Sequence, residues 1–165
     1  MNTFKTPLIE LETVQEYCGL SRNVTGKEYN RFILTSQNTR LRNLIGEELV
    51  DDLVTYKDLG GEGDEDFSLL QSNYIEPFLS HDSFVQYSPQ SSIKSTKSGV
   101  KKMKGENTEN SSKDDLSHVS SINQKNADNF AKRMICFLEE NYEKYPSYTK
   151  KEEPVLRRSI FTIKG

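Results

Sequence analysis

Two cysteines, Cys18 and Cys136, and two histidines, His81 and His118, are the side chains best suited to nucleophilic or metal chemistry. Neither histidine belongs to an HExxH, and neither cysteine to a CxxC. Four converging ligands, as a zinc ion needs, are not foreshadowed, so no metal is expected. Each cysteine has apolar neighbours, Tyr17 and Leu20 for the first, Ile135 and Phe137 for the second. Free cysteine in such company behaves as a small hydrophobe, and two buried structural thiols are the expectation. Acid–base chemistry would need paired carboxylates. Asp51-Asp52 and Glu139-Glu140 are adjacent, but adjacent positions on a helix point about 100° apart, so neither pair converges on a ligand. GxSxG, GxxxxGK[ST] and GxGxxG are absent. The expectation is a protein that is not an enzyme, with no catalytic residue and no cofactor.

The remaining chemistry is charge. Residues 47–66 hold nine carboxylates and one lysine, Lys57. The stretch Glu62, Asp64, Glu65, Asp66 lacks the ligand spacing and the distant glutamate of an EF-hand and reads as a solvated turn. Opposed to it is a basic block, Lys94, Lys97, Lys101, Lys102 and Lys104, with no acid between its ends. These lysines can meet phosphates electrostatically. No aromatic residue is interleaved among them to stack on bases, and an acidic protein surface suits them as well.

The elements that carry these groups belong to a chain of 165 residues, a length that suits one domain. Leu, Ile, Val and Phe make up 40 of them, enough for one core and too few to cover the whole length. The formal net charge of −3 argues against nucleic-acid binding over the whole surface. Met1 to Glu10 has no apolar core of a secretory signal, and no apolar run approaches a membrane span, so no membrane is expected.

The periodicity predicts a mainly α chain. Leu11, Val14 and Cys18 share a helical face that Gly19 ends. Thr25 to Glu28 reads as a capping box before a helix with Tyr29, Phe32, Ile33, Leu41, Leu44 and Ile45 on one stripe. Ser36 to Thr39 interrupts that stripe with polar residues, and Gly46 stops the helix. Glu47 and Glu48 open the next helix, with Leu49, Val50, Leu53 and Val54 as its face. A fourth helical segment runs from Phe67 to about Tyr87, where Pro77 marks either a kink or a fresh first turn. Ile93 to Val100 reads as a short β-hairpin turning at Ser98-Gly99, an insertion at about 92–104. Ser112 to Asp115 resembles a second cap, followed by the longest helix, about Lys113 to Lys144 and roughly 45 Å long. Its expected face includes Leu116, Val119, Ala127, Phe130, Ala131, Met134, Leu138 and Tyr142. The predicted architecture is a small helical bundle, residues 1–148, with an extended C-terminal arm, 149–165. Ile160-Phe161-Thr162-Ile163 in that arm has strand propensity without an obvious home partner, so it either frays or adds to another subunit.

Four stretches taken in order resemble head-to-tail connector (adaptor or ring) proteins of tailed bacteriophages, most closely those of crAss-like phages. They are Leu44-Ile45-Gly46 with Leu49 and Leu53; Tyr74-Ile75-Glu76-Pro77-Phe78; Ile93-Lys94 through Ser98-Gly99-Val100-Lys101-Lys102; and the long helix ending at Tyr145-Pro146-Ser147-Tyr148. The resemblance implies a helical adaptor without catalysis, a virion protein at the head–tail junction. It implies a homo-oligomeric ring of about a dozen copies docked on a portal protein and on other tail or ring proteins. Double-stranded DNA would pass through the channel without sequence-specific binding. Lys94, Lys97, Lys101, Lys102, Arg157, Arg158, Ile160, Phe161 and Ile163 are the candidate inter-subunit residues. The chain departs from the connector pattern at Ser80 to Gln90, where relatives tend to be more apolar and this sequence has His81, Asp82, Ser83 and Gln86. There the fourth helix either continues beyond Leu79 or breaks. The competing expectation is a small cytosolic binding module that meets nucleic acid or an acidic partner through the lysine-rich hairpin.

Overall fold

The computed structural model describes residues 6–91, 93–96, 99–102 and 113–149. The chain is mainly helical. Helix α1 is Leu11–Cys18, closed by Gly19 in the left-handed region at φ 63°. Helix α2 is Gly26–Ser36; a π-helical turn, Gln37–Leu41, joins it to α3, Arg42–Ile45. After Gly46 comes α4, Glu47–Asp58. Helix α5, Glu65–Leu70, passes through a second π-turn, Gln71–Ile75, into α6, Glu76–Ser91. Segments β1, Ile93–Thr96, and β2, Gly99–Lys102, pair antiparallel with Lys94 opposite Lys101. Helix α7, Lys113–Glu140, is followed by a single 3₁₀ turn, Tyr142–Lys144.

Helix α6 is the centre of the bundle, packed by α1, α2 and α7. This explains why its sequence reads poorly as an amphipathic helix. A helix covered on several sides has no wide solvent face, so its polar residues are buried and need partners. Ser80, His81, Asp82 and Ser83 are consecutive and all buried. The helix therefore continues through the polar segment to Ser91 instead of breaking after Leu79. Of the two expected places for Pro77, the first turn of a helical element is the one it takes. It is the second residue of α6, directly after the π-turn. Proline in a continuous α-helix clashes with the carbonyl four residues back, and a π-turn at that place widens the backbone and removes the demand for its N–H.

The core gathers Tyr29, Ile33, Leu41 and Ile45 from the α2–α3 helix, Leu49 and Leu53 from α4, Phe78 and Leu79 from α6, and Met134 and Leu138 from α7, among others. Four sequence expectations change. Thr25 stands at the N-cap of α2, but its hydroxyl makes no capping bond; its carbonyl accepts from Glu28 and Tyr29 N–H instead. The side-chain cap belongs to Asp64, which accepts from Phe67 N–H at 3.0 Å and starts α5 two residues before Phe67. Helix α7 stops at Glu140, so Tyr142 leaves the stripe and is 54% exposed. Val119, expected on the core face, is exposed too. The buried apolar residues of α7 begin at Ala127, and the turn before them buries the polar Asn123 against His81 of α6. Ser112 lies outside the described residues, as does the arm from 150 onward.

Candidate functional site

Three polar arrangements stand out, and each draws on residues far apart in sequence. The first is an ion-paired cluster. Asp82, 2% exposed, receives Arg40 and Ser36, the latter at 2.5 Å. Gln86 donates to Asp82 at 3.0 Å and to the Ser36 hydroxyl at 2.8 Å. The second guanidinium nitrogen of Arg40 reaches Asp128 on α7 at 2.6 Å, where Gln124 donates at 2.9 Å. One arginine thus ties the α2–α3 helix to both α6 and α7. Both Asp82 oxygens are used for bonding within the fold, which makes the cluster a fastener.

The second joins Cys18 to His81. The thiol sulfur lies 3.4 Å from His81 Nδ1. The same nitrogen is 2.7 Å from Asn123 Oδ1, and Asn123 Nδ2 donates to the Val119 carbonyl at 2.9 Å. The amide orientation of Asn123 is thereby fixed, so Nδ1 carries the proton and donates to Asn123. It cannot also take the Cys18 proton. Burial pushes the Cys18 thiol up to about 12, which removes the thiolate that nucleophilic chemistry requires. Cys136 overturns the expectation of two buried thiols: it is exposed on α7, beside Lys132, Arg133 and Glu140. Cys136 is expected to react with a thiol reagent at pH 8 in the folded chain, and Cys18 only after denaturation. Mass spectrometry of the labelled protein checks this. Cys18 is only partly buried; its rapid labelling in buffer would contradict its protection by His81 and the raised thiol pKa.

The third is a groove along α5. The N-terminal segment forms one wall and is held almost entirely by side chains. Gln37 accepts from Leu8 N–H at 2.8 Å and donates to the Thr6 carbonyl. Gln71 donates to the Leu8 carbonyl at 2.8 Å, and Lys57 to the Pro7 carbonyl and to Glu10. Two adjoining clefts of about 350 and 550 Å³ share Tyr56, Gly61, Ser68 and Ser72. Three of these four shared residues are small. Carboxylates stand at both ends, Glu10 and Glu76 at one, Asp64 and Glu65 at the other. Burial raises Glu76 from its ordinary value, and the neighbouring Gln71 and Lys57 offset this only in part.

The sign of that shift gives a test. A carboxyl raised in the folded state binds its proton more tightly there than when unfolded. Stability therefore falls as pH climbs from the unfolded value through the folded one. Glu76→Gln is expected to raise the urea midpoint at pH 7 and to leave it unchanged at low pH, where both states are protonated. A lower midpoint at pH 7 would mean that the charged form is the favoured one.

The acidic stretch is more engaged than a solvated face. Arg42 pairs with Glu47 at 3.2 Å and Asp51 at 3.6 Å. Asp52 receives Ser147, and Asp66 binds Lys144 at 2.8 Å. The Asp66 carbonyl accepts from the buried Tyr145 hydroxyl, whose pKa burial and Asp66 push up to about 12. Among the described residues no group of three or more His, Cys, Asp or Glu could hold a metal ion. None of the described helices is long and apolar enough to cross a membrane. Of the sequence-predicted interface residues, Lys94 lies in β1 and Lys101 and Lys102 in β2. Lys97, Arg157, Arg158, Ile160, Phe161 and Ile163 lie outside the described residues. The groove itself escaped sequence reading; only its acidic loop was visible there, because its walls come from four separate segments.

A family model described as a family of unknown function (DUF6712) matches residues 41–158. No curated protein and no solved structure matches the chain.

Proposed function

Taking as its premise that the chain belongs to the DUF6712 family, we propose that it is a structural subunit of a phage head-to-tail connector ring. In this reading it docks on the portal and joins capsid to tail, with an open channel for double-stranded DNA. The carrying observation is charge polarity along one continuous helix. Residues 65–91 form a single rod through the second π-turn, about 40 Å long. Its first end lies among Asp64, Glu65 and Asp66; beyond its other end the sequence continues into the lysine-rich block. A subunit acidic at one end and basic at the other favours heterologous contacts, which close into rings.

The experiment mixes the full chain with assembled portal protein and images the product. A ring of this chain on the portal is expected, and its assembly weakens as salt is raised. No association, from a chain that stays monomeric at all concentrations, would overturn the reading. The same lysine-rich segment favours a second reading, a binding module for nucleic acid or an acidic protein. That reading expects salt-dependent binding by the monomer, lost in Lys101→Ala/Lys102→Ala.

A further inference from the structure

The groove along α5 has a definite charge pattern. Its lining holds four carboxylates and one lysine; Lys57 pairs with Glu10 at 2.6 Å, which leaves Glu76, Asp64 and Glu65 as the groove's excess charge. The two acidic ends are separated by the helix from Glu65 to Glu76, about 16 Å at the usual rise. Between them lie the aromatic ring of Tyr56 and the half-exposed Leu69, and Leu59 is 82% exposed at the nearby glycine turn. An occupant complementary to this surface is extended, cationic at both ends and apolar between.

One stretch of this chain has that pattern. Residues 157–164 read Arg-Arg-Ser-Ile-Phe-Thr-Ile-Lys, and no acid follows Glu153. From Arg158 to Lys164 an extended chain covers about 20 Å, near the separation of the two acidic ends. We propose that the groove receives residues 157–164 of a second copy of this chain, with Arg157 and Arg158 at one acidic end and Lys164 at the other. The inference rests on the assembly reading in requiring a second copy, and it adds the surface on which that copy is held. A subunit's own arm is the competing occupant. Thr149 packs against Gly46 at the start of α4, while Tyr56 lies toward that helix's far end, roughly 15 Å along.

The test uses the full chain as an equal mixture of ordinary and ¹⁵N-labelled copies, treated with a carbodiimide that joins an amine to a carboxylate in direct contact. Peptides linking Lys164 to Asp64 or Glu65, or to Glu10 or Glu76, are expected, with light–heavy pairs as abundant as same-isotope pairs. Arg157→Glu/Arg158→Glu, outside the described residues, is expected to reduce them at least about tenfold, the equivalent of roughly 1.4 kcal/mol. Links confined to a single isotope would assign the groove to the subunit's own arm and overturn the proposal. The absence of links, or links indifferent to the charge reversal, would overturn it too. Rings on portals without the link would retire the groove and leave the connector reading intact. Mixed links in a chain that never binds a portal would sink the connector reading alone.

Discussion

Arg40→Met is expected to cost about 3 kcal/mol of folding stability, lowering the urea midpoint by about 1.5 M for a typical slope. The reason is the carboxylate it abandons. Asp82 is 2% exposed on the central helix, and Arg40 is the cation paired with it. Ser36 and Gln86 would still donate to Asp82, but hydrogen bonds alone do not balance a buried charge. Asp128, the other partner of Arg40, is 46% exposed and returns to water at little cost. Removing one member of a buried pair typically costs 3–5 kcal/mol, and the figure sits at the lower end because Arg40 is itself about a third exposed. Adding Asp82→Leu to Arg40→Met should recover part of the loss, because no charge then remains buried. A double mutant no more stable than the single one would show that packing by the arginine stem, not charge, is what Arg40 supplies.

Phe78→Ala is expected to be costlier, about 4 kcal/mol, within the usual range for emptying a buried phenylalanine site. Phe78 is fully buried on α6, and the Arg40 guanidinium lies 5.6 Å from its ring centroid. The surrounding helices are fixed by the Arg40 cluster, so the site has little freedom to collapse and the cavity stays open. Net stability of ordinary domains is only 5–15 kcal/mol, so this one change removes a large share of it. Urea unfolding followed by circular dichroism measures the loss. Val119→Ala, at an exposed position on α7, serves as the control and should shift the midpoint by under about 0.5 kcal/mol. A loss under about 1 kcal/mol for Phe78→Ala would mean that the core relaxes around the site.

Much of the helical layout was legible in the sequence. Gly19 and Gly46 stop helices where expected, and Tyr29, Phe32, Ile33, Leu41 and Ile45 are buried together. The polar interruption from Ser36 to Thr39 has a physical cause. A π-turn inserts extra backbone and rotates everything after it, so the apolar stripe before Gln37 and the one after Leu41 follow different phases. A fixed 3.6-residue period cannot read across such a turn. The central helix was hidden for another reason. Asp82 and His81 owe their burial to Arg40, Ser36 and Asn123, all more than 40 residues distant in one direction or the other. Nothing local to Ser80–Gln90 announces those partners. The groove was invisible in the same way, since Tyr56, Ser68 and Glu10 carry no shared motif and meet only through the fold.

The grip on Leu8 adds a second tie between two helices that already pack together. Its N–H is held by Gln37 at the first residue of one π-turn, and its carbonyl by Gln71 at the first residue of the other. Both bonds are 2.8 Å, and a hydrogen bond tolerates only a few tenths of an ångström. Sliding either long helix by one residue, about 1.5 Å, would break one bond while the other held. A single peptide unit thus acts as a caliper between two rods, registering their offset. Fusions or truncations reaching Leu8 would release that gauge, so part of the bundle's alignment rests on a segment that lies in neither helix.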